Sequence, residues 1–220
     1  MGMAAAAVPS VTSCKSVPEK VPASINFQLG IASYSLRKFP VDEALAMTRR
    51  MNVDRISFKD FHLKLDATDA EIAETLEKCK ASGITLYGGG VIYMRSVEDI
   101  DQGFEYARKA GMKIIIGVPL HEHLAYVEEK VKEYDIKLAI HNHGPGDDLY
   151  PSAESAYVLI KDMDPRMGLC IDIGHTMRIN RNPKQDLIDY FERVHDIHIK
   201  DVTQADEKGT TCEIGRGVID

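Results

Sequence analysis

The sequence LCIDIGH, residues 169–175, decides the fold of this chain. Its first three residues are apolar without alternation, which is typical of a short strand buried on both faces of a parallel sheet. The strand ends abruptly in the carboxylate of Asp172, and a glycine turn leads to the imidazole of His175. Because α/β folds collect functional groups at the carboxyl ends of parallel strands, we expect these two side chains to lie together in a site.

The composition is that of an ordinary globular protein. The chain has 220 residues, 44% of them hydrophobic and 28% charged, which is enough for one large α/β domain with a substantial core. A formal net charge of −7 argues against a nucleic-acid partner, which needs clustered Lys and Arg to neutralise phosphates. No apolar run reaches the roughly 20 residues of a transmembrane segment. The four cysteines form no Cys-x-x-Cys pair and indicate neither a zinc knuckle nor a disulfide framework.

The first two dozen residues differ from the rest. Residues 4–14 combine an alanine run with Pro9 and Cys14, and resemble the end of a secretory signal with a lipoprotein-type cysteine, but the charged start of such a signal is absent. We interpret residues 1–24 as the remnant of an export signal, which makes the protein exported, periplasmic or lipid-anchored. The alternative is a disordered tail on a cytoplasmic protein. Residues 25–220 are then a single domain.

From residue 27 onward a short apolar strand, a polar turn and an amphipathic helix recur roughly every 25–30 residues, as in βαβ units. Strict alternation of this kind predicts a parallel sheet. Seven units fit an α/β barrel that lacks its eighth βα unit, either by truncation or because another chain closes it, as in a homodimer. The predicted strands are residues 27–32, 55–58, 85–87, 113–118, 137–140, 168–171 and 196–199, and the helices are 41–50, 70–82, 100–110, 124–134, 152–163 and 184–194.

The histidines are concentrated at one end of the predicted strands. Seven of the eight follow or end a strand, and only His195 stands at the beginning of one. Imidazole is a common metal ligand and titrates near neutrality, so such a concentration predicts a metal or acid–base site. Alternation along the seventh strand also places Lys200 on the same face as His198. The histidines at the carboxyl ends are His62, His121, His123, His141, His143, His175 and His198.

Other polar residues follow the strands, each with a structural alternative. Lys59 follows the second strand but stands beside Asp60, with which it can form an ordinary surface ion pair. Glu122 opens a helix, where a solvated polar turn is the competing interpretation. Residues 88–90 are three glycines after the third strand, and they allow either close approach to a ligand or a bend. Arg216 lies in a loop that we expect before the missing strand, where it could meet an anionic or hydroxylated substrate.

Three motifs together resemble the xylose isomerase-like TIM barrels, a superfamily of sugar isomerases and epimerases, inosose dehydratases and endonuclease IV. They are CIDIGH at 170–175, HIKD at 198–201 and GRG at 215–217. The resemblance implies a (β/α)8 barrel, here without its eighth unit, and a divalent metal ion (Mn, Mg, Co or Zn). The metal is typically held by a carboxylate of strand five, an aspartate of strand six, a histidine of strand seven and a glutamate of strand eight. Asp172 and His198 match the middle two, and His141 takes the place of the strand-five glutamate.

The resemblance implies an enzyme that abstracts a proton next to a metal-polarised carbonyl of a carbohydrate or keto-sugar, as a sugar isomerase or epimerase does. Replacement of the strand-five glutamate leaves a lyase or dehydratase, such as one acting on a 3-keto-glycoside, as an alternative on the same site. A non-catalytic carbohydrate-binding barrel and an endonuclease IV-like phosphodiesterase are the further alternatives. We expect Lys59, His143, His175 and Lys200 to be catalytic, and His62, Glu122 and Arg216 to contact the substrate.

Overall fold

The computed structural model describes residues 27–219, and within them seven parallel strands pair in sequence order. The strands are β1 (Ile31–Ala32), β2 (Arg55–Phe58), β3 (Thr85–Met94), β4 (Ile114–Pro119), β5 (Lys137–His141), β6 (Met167–Asp172) and β7 (Val194–His198). A two-stranded antiparallel hairpin follows, made of β8 (Asp201–Val202) and β9 (Thr211–Cys212). This arrangement confirms the predicted α/β fold, a TIM barrel without its last unit.

Helices connect the strands. They are α1 (Val41–Arg50), α2 (Asp69–Ala81), α3 (Val97–Lys109), α4 (Leu124–Tyr134), α5 (Ala153–Ile160), α6 (Ile173–Arg178) and α7 (Pro183–Asp189), with short 3-10 helices at Ser33–Leu36, His121–His123 and Phe191–Arg193. Helix α2 begins with a capping box between Thr68 and Glu71, which satisfies two amide groups that have no partner inside the helix. It is followed by Gly83 at φ 63°, a conformation that glycine adopts without strain. No helix in residues 27–219 is long and apolar enough to cross a membrane.

Several predicted element boundaries are wrong, among them the following four. Strand β3 continues through residues 88–90, predicted as a loop, because Gly88 leaves room for β4: an added Cβ would lie 2.7 Å from Ile114 Cγ2. The glycine turn after Asp172 is the first turn of α6. The helix predicted at 184–194 ends at Asp189. Just before β7, the guanidinium of Arg193 donates hydrogen bonds to four backbone carbonyls, those of Lys161, Met163, Asp164 and Met167. Strand β1 covers only Ile31–Ala32 of the predicted 27–32. The predicted tail, residues 1–24, lies outside the described residues.

Two hydrophobic clusters form the core. The larger one lies between the sheet and the surrounding helices. The smaller one fills the concave side of the sheet with Ile114, Ile116, Ala139 and Cys170, against which Tyr87 and Val91 pack. Side chains alternate along a strand, so the residues two positions after Ala139 and Cys170 also face the concave side. These are His141 and Asp172, the last residues of β5 and β6.

Candidate active site

The carboxyl ends of β5, β6 and β7 bring together three of the predicted residues. Asp172 of β6 pairs in register with His198 of β7, and His141 of β5 pairs with Cys170 of β6. The rings of His141 and His198 have centroids 4.7 Å apart, and Nε2 of His141 lies 3.4 Å from Oδ2 of Asp172. His141 and Asp172 are only 4% and 3% exposed, so this group is held inside the mouth of the barrel.

Asp172 is the centre of this group because each of its carboxylate oxygens has a partner. Oδ1 accepts a hydrogen bond of 2.8 Å from the backbone amide of His175 and thereby caps α6. Oδ2 lies 3.0 Å from Nζ of Lys200 and 3.9 Å from Nε2 of His175. The expectation that Asp172 and His175 lie together therefore agrees with the structure, and Lys200 joins them.

His143 completes the set. Its ring centroid lies 4.5 Å from that of His141 and 5.9 Å from that of His175. Nδ1 of His143 faces Oδ2 of Asp147 at 3.5 Å, too long for a well-formed hydrogen bond, while Nε2 lies 3.4 Å from the hydroxyl of Tyr93. We call His141, His143, Asp172, His175, His198 and Lys200 the histidine cluster.

Burial keeps the imidazoles of the cluster uncharged. It lowers the pKa of His141 from 6.5 to about 3, although the neighbouring Asp172 opposes the shift. Burial also lowers the pKa of His175 to about 4 and that of His143 and His198 below their ordinary values. Neutral imidazole is the form that binds a metal ion or accepts a proton, so these side chains are in a usable state at neutral pH.

Asp172 carries the negative charge of the cluster. Burial alone would raise the pKa of its carboxyl group, but the contact with His141 and the charges of its neighbours, chiefly Lys200, outweigh burial and hold the pKa below its ordinary value. A buried carboxylate beside an ammonium group and several neutral imidazoles can hold a cation, orient a substrate hydroxyl and accept or donate a proton.

The donor set suits a divalent metal ion. His141, Asp172 and His198 supply two imidazoles and one carboxylate, and Nδ1 of His141 is buried without a hydrogen-bond partner. His141 and His198 also form a compact group with the thiol of Cys170, in which one donor atom from each residue lies within 4.8 Å of the others. The site therefore offers at least one buried imidazole nitrogen that has no protein partner and could bind a metal ion.

Within residues 27–219, four other predicted residues form no hydrogen bond or ion pair with the cluster. Lys59 donates a 2.7 Å hydrogen bond from Nζ to the carbonyl of Val91, and it also lies 3.4 Å from Asp60, the ion pair named above as its structural alternative. His62 is buried beside Phe58 and Phe61, with Nε2 2.9 Å from the carbonyl of Phe39. Glu122 and Arg216 are exposed on the surface. Their assignment to substrate binding stays a prediction.

Sequence reasoning missed two residues that shape the cluster. Asn142 is buried between His141 and His143 in the sequence and accepts a 2.9 Å hydrogen bond from the amide of Asp172, which ties the ends of β5 and β6 together. Its position between two histidines at the end of a predicted strand could have identified Asn142 as part of the site. Tyr93 stacks on His143 with ring centroids 6.0 Å apart, and it escaped because β3 was predicted to end before it.

Comparison with known proteins gives a family and a set of similar folds. Residues 45–220 match the family model described as the xylose isomerase-like TIM barrel. No curated protein matches the sequence. An uncharacterised protein from Parabacteroides distasonis is 29% identical, with a TM-score of 0.70 over 80% of this chain and 76% of that one.

Two solved structures with named activities are more distant and show the fold alone. The probable 3-DHS dehydratase AsbF from Bacillus anthracis is 10% identical, with a TM-score of 0.70 over 88% of this chain and 86% of that one. The 3-keto-D-glucoside 4-epimerase YcjR from E. coli is 14% identical, with a TM-score of 0.63 over 82% of this chain and 78% of that one.

Proposed function

Because this chain belongs to the xylose isomerase-like TIM barrel family, we propose that it is a divalent-metal-dependent isomerase or epimerase of a carbohydrate or keto-sugar. The observation that carries the proposal is the histidine cluster, in which neutral imidazoles, one carboxylate and one ammonium group meet at the carboxyl ends of β5, β6 and β7. Structural neighbours of this fold are named as a sugar epimerase and a dehydratase, so the fold is compatible with such chemistry.

The metal ligands of the proposal are His141, Asp172 and His198. A divalent ion held by these three residues would supply a Lewis acid for a carbonyl and a neighbouring hydroxyl of the substrate, which would acidify the adjacent C–H bond. Mn, Mg, Co and Zn are all compatible with a set of two imidazoles and a carboxylate.

The remaining cluster residues move the protons. His143 and His175 are neutral, and their ring centroids lie 4.5 and 5.9 Å from that of His141 and 5.9 Å from each other. They are therefore suited to remove the proton from one carbon and return it to the same or a neighbouring one. The ammonium group of Lys200 can donate a hydrogen bond to the substrate oxygen on which negative charge develops, because it already lies among the polar groups of the mouth. Lys59 is the fourth catalytic residue of the proposal, and it would orient a substrate hydroxyl from the β2 side of the barrel.

Elimination on the same site is the second candidate function. After removal of the same C–H proton, expulsion of a β-substituent needs a general acid rather than a second carboxylate. His143 and His175 can each serve as that acid once they have taken up a proton. The position where the resemblance implies a strand-five glutamate holds His141, and this specific difference favours a lyase or dehydratase of a keto-sugar or 3-keto-glycoside.

Proton exchange with solvent tests both candidates. The purified full chain, loaded in turn with Mn, Mg, Co or Zn, is incubated with a panel of ketoses and 3-keto-glycosides in deuterated water and followed by NMR. We expect deuterium at a carbon next to the carbonyl, with an isomer for isomerisation and a released leaving group for elimination. Absence of exchange and of cleavage with every metal would favour a carbohydrate-binding barrel instead.

Matched histidine variants locate the chemistry. His198→Ala and Asp172→Asn should each lower metal occupancy, measured by elemental analysis, and slow exchange by roughly a hundredfold or more. His195→Gln is the control, because His195 lies on the same strand at the opposite end and contacts the carbonyl of Pro165 at 3.0 Å. Unchanged metal occupancy in both cluster variants would contradict the proposed metal site.

The cellular location in the proposal is the periplasm or the outside of the cell. It depends on the signal-like composition of residues 4–14, which end in Cys14.

A further inference from the structure

A buried carboxylate that the chemistry above does not use follows directly after Lys200. Asp201 is 3% exposed, and its two oxygens accept four backbone N–H groups. Oδ2 accepts from Gly215 at 3.0 Å and from Gly217 at 2.8 Å. Oδ1 accepts from Ile219 at 3.2 Å and from Val202 at 2.8 Å. Three of these four donors belong to one loop.

This loop, residues 213–219, is exposed but firmly attached. We call it the Arg216 loop. The amide of Arg216 donates to the carbonyl of Glu213 at 3.0 Å, and the amide of Val218 donates to the carbonyl of Val202 at 2.9 Å. Gly217 lies so close to Asp201 that an added Cβ would overlap Oδ1 of the carboxylate, so only glycine fits there. A surface loop with most of its amides bonded inward has a fixed conformation, which a merely connecting loop does not need.

The same chain segment connects the Arg216 loop with the histidine cluster. Lys200, whose Nζ lies 3.0 Å from Oδ2 of Asp172, is the residue before Asp201. The stem and backbone of Lys200 pack on Gly174, where an added Cβ would lie 2.8 Å from Cε and 2.9 Å from the carbonyl oxygen. The loop is therefore attached to the residue that directly follows Lys200 of the cluster.

We propose that Asp201 is a positioning residue that holds Arg216 at the mouth of the barrel, where its guanidinium binds an oxygen-rich group of the substrate. The proposal rests on the proposed function, since it concerns the substrate of that same site. A guanidinium group presents several N–H donors in a fixed plane and suits a carboxylate, a phosphate or a pair of hydroxyl groups. Its usefulness depends on orientation, which explains why three backbone amides of the loop bond to one carboxylate.

The carboxylate cannot be replaced by an amide of the same size. Each oxygen of Asp201 accepts two N–H groups, so the NH2 group of Asn at this position would face two donors. Asp201→Asn should therefore release part of the loop while leaving the volume of the side chain unchanged. Gly217→Ala breaks the same contact from the loop side without altering the carboxylate, and serves as a second variant if the first one folds poorly.

The first test measures the loop without a substrate. Amide hydrogen exchange followed by mass spectrometry should be slow at Gly215, Gly217 and Ile219 in the unmodified protein and roughly tenfold or more faster in Asp201→Asn and Gly217→Ala. Trypsin should cleave after Arg216 faster in both variants. Asp164→Asn is the control, because Asp164 also accepts a backbone amide, from Arg166 at 2.9 Å, but lies in the loop before β6 at the opposite end of the barrel. Unchanged exchange in both loop variants would overturn the proposal.

The second test separates positioning from stability. With the ketose or 3-keto-glycoside that exchanges fastest in deuterated water, Arg216→Ala and Asp201→Asn should each raise KM roughly tenfold and leave kcat within about threefold. The double variant should be no worse than Arg216→Ala alone, because both changes remove the same contact. Additive effects, or faster amide exchange with unchanged KM, would show that the carboxylate serves only stability. If the unmodified protein exchanges no substrate proton, the proposed function fails and the role of Arg216 fails with it, whereas slow amide exchange in the variants overturns the positioning role alone.

Discussion

Protonation in the histidine cluster is decided residue by residue. His141 is buried and His175 is half-buried, and loss of contact with solvent lowers their pKa values to about 3 and about 4. Asp172, in the same environment, stays ionised because Lys200 and the imidazoles surround it. The site thereby holds one charge of each sign and several neutral bases, which is the distribution that proton transfer next to a carbonyl needs.

The depressed histidines predict how stability changes with pH in the metal-free protein. Between pH 6.5 and about 4 the unfolded chain binds protons at His141 and His175 that the folded chain excludes, so the free energy of unfolding should fall as pH falls through this window. The slope is at most about 1.4 kcal/mol per pH unit for each histidine. Urea unfolding in a chelating buffer measures it. His141→Asn should reduce the slope, and an unchanged slope would contradict burial of neutral imidazole.

At the level of elements, the turn from β6 into α6 brings Lys200 to Asp172. The side chain of Asp172 caps the helix, and Gly174 in its first turn leaves the space through which the Lys200 stem passes. Asn142 adds a bond from the end of β5 to the amide of Asp172. These three contacts hold the ends of β5 and β6 and the residues after β7 in one arrangement.

Gly174→Ala should disturb this arrangement directly. The new Cβ would lie within 3 Å of two Lys200 atoms, one of them backbone, so we expect a loss of about 1–3 kcal/mol in stability and slower proton exchange as Lys200 moves away from Asp172. Thermal unfolding and the deuterium assay measure the two effects. Gly103→Ala in α3 is the control, because its nearest neighbour is the flexible end of Met94 at 3.3 Å. Equal behaviour of the two variants would show that the contact at Gly174 is unimportant.

At the scale of the whole molecule, the seven-stranded sheet has two edge strands, each with one partner. Within residues 27–219, β1 pairs only with β2 and β7 pairs only with β6. Beside β7, Phe191, Ile197 and Ile199 are 72%, 36% and 46% exposed, and beside β1, Phe27 is 62% exposed. Unpaired parallel strands next to exposed apolar side chains favour association with another chain.

We therefore expect this chain to self-associate through β7. Sedimentation velocity over a range of concentrations should show a reversible homodimer, and Ile197→Lys should shift it towards monomer by placing a charge in the interface. Val97→Lys is the control, since Val97 is 38% exposed at the start of α3, which connects β3 and β4 in the middle of the sheet. A monomer at every concentration would contradict this expectation.

The amino-acid sequence alone determined the fold class and the end of the barrel that carries the polar residues. Both depend on local patterns: apolar runs define buried strands, and the residue after a strand lies at its end whatever the rest of the chain does. This was sufficient to place Asp172, His198 and His141 at the same end of the strands, and the resemblance to the family then grouped them as expected metal ligands.

Only the tertiary structure decided which of the polar side chains meet. Lys200 contacts Asp172, whereas Lys59 bonds to the carbonyl of Val91, although both follow strands and carry the same charge. Tyr93 reaches His143 because β3 continues past its glycines, and Asp201 holds a loop 14 residues further along the chain. Such pairings depend on how the sheet curves and on strand register, which are set by packing across the whole domain and leave no trace in a local sequence pattern.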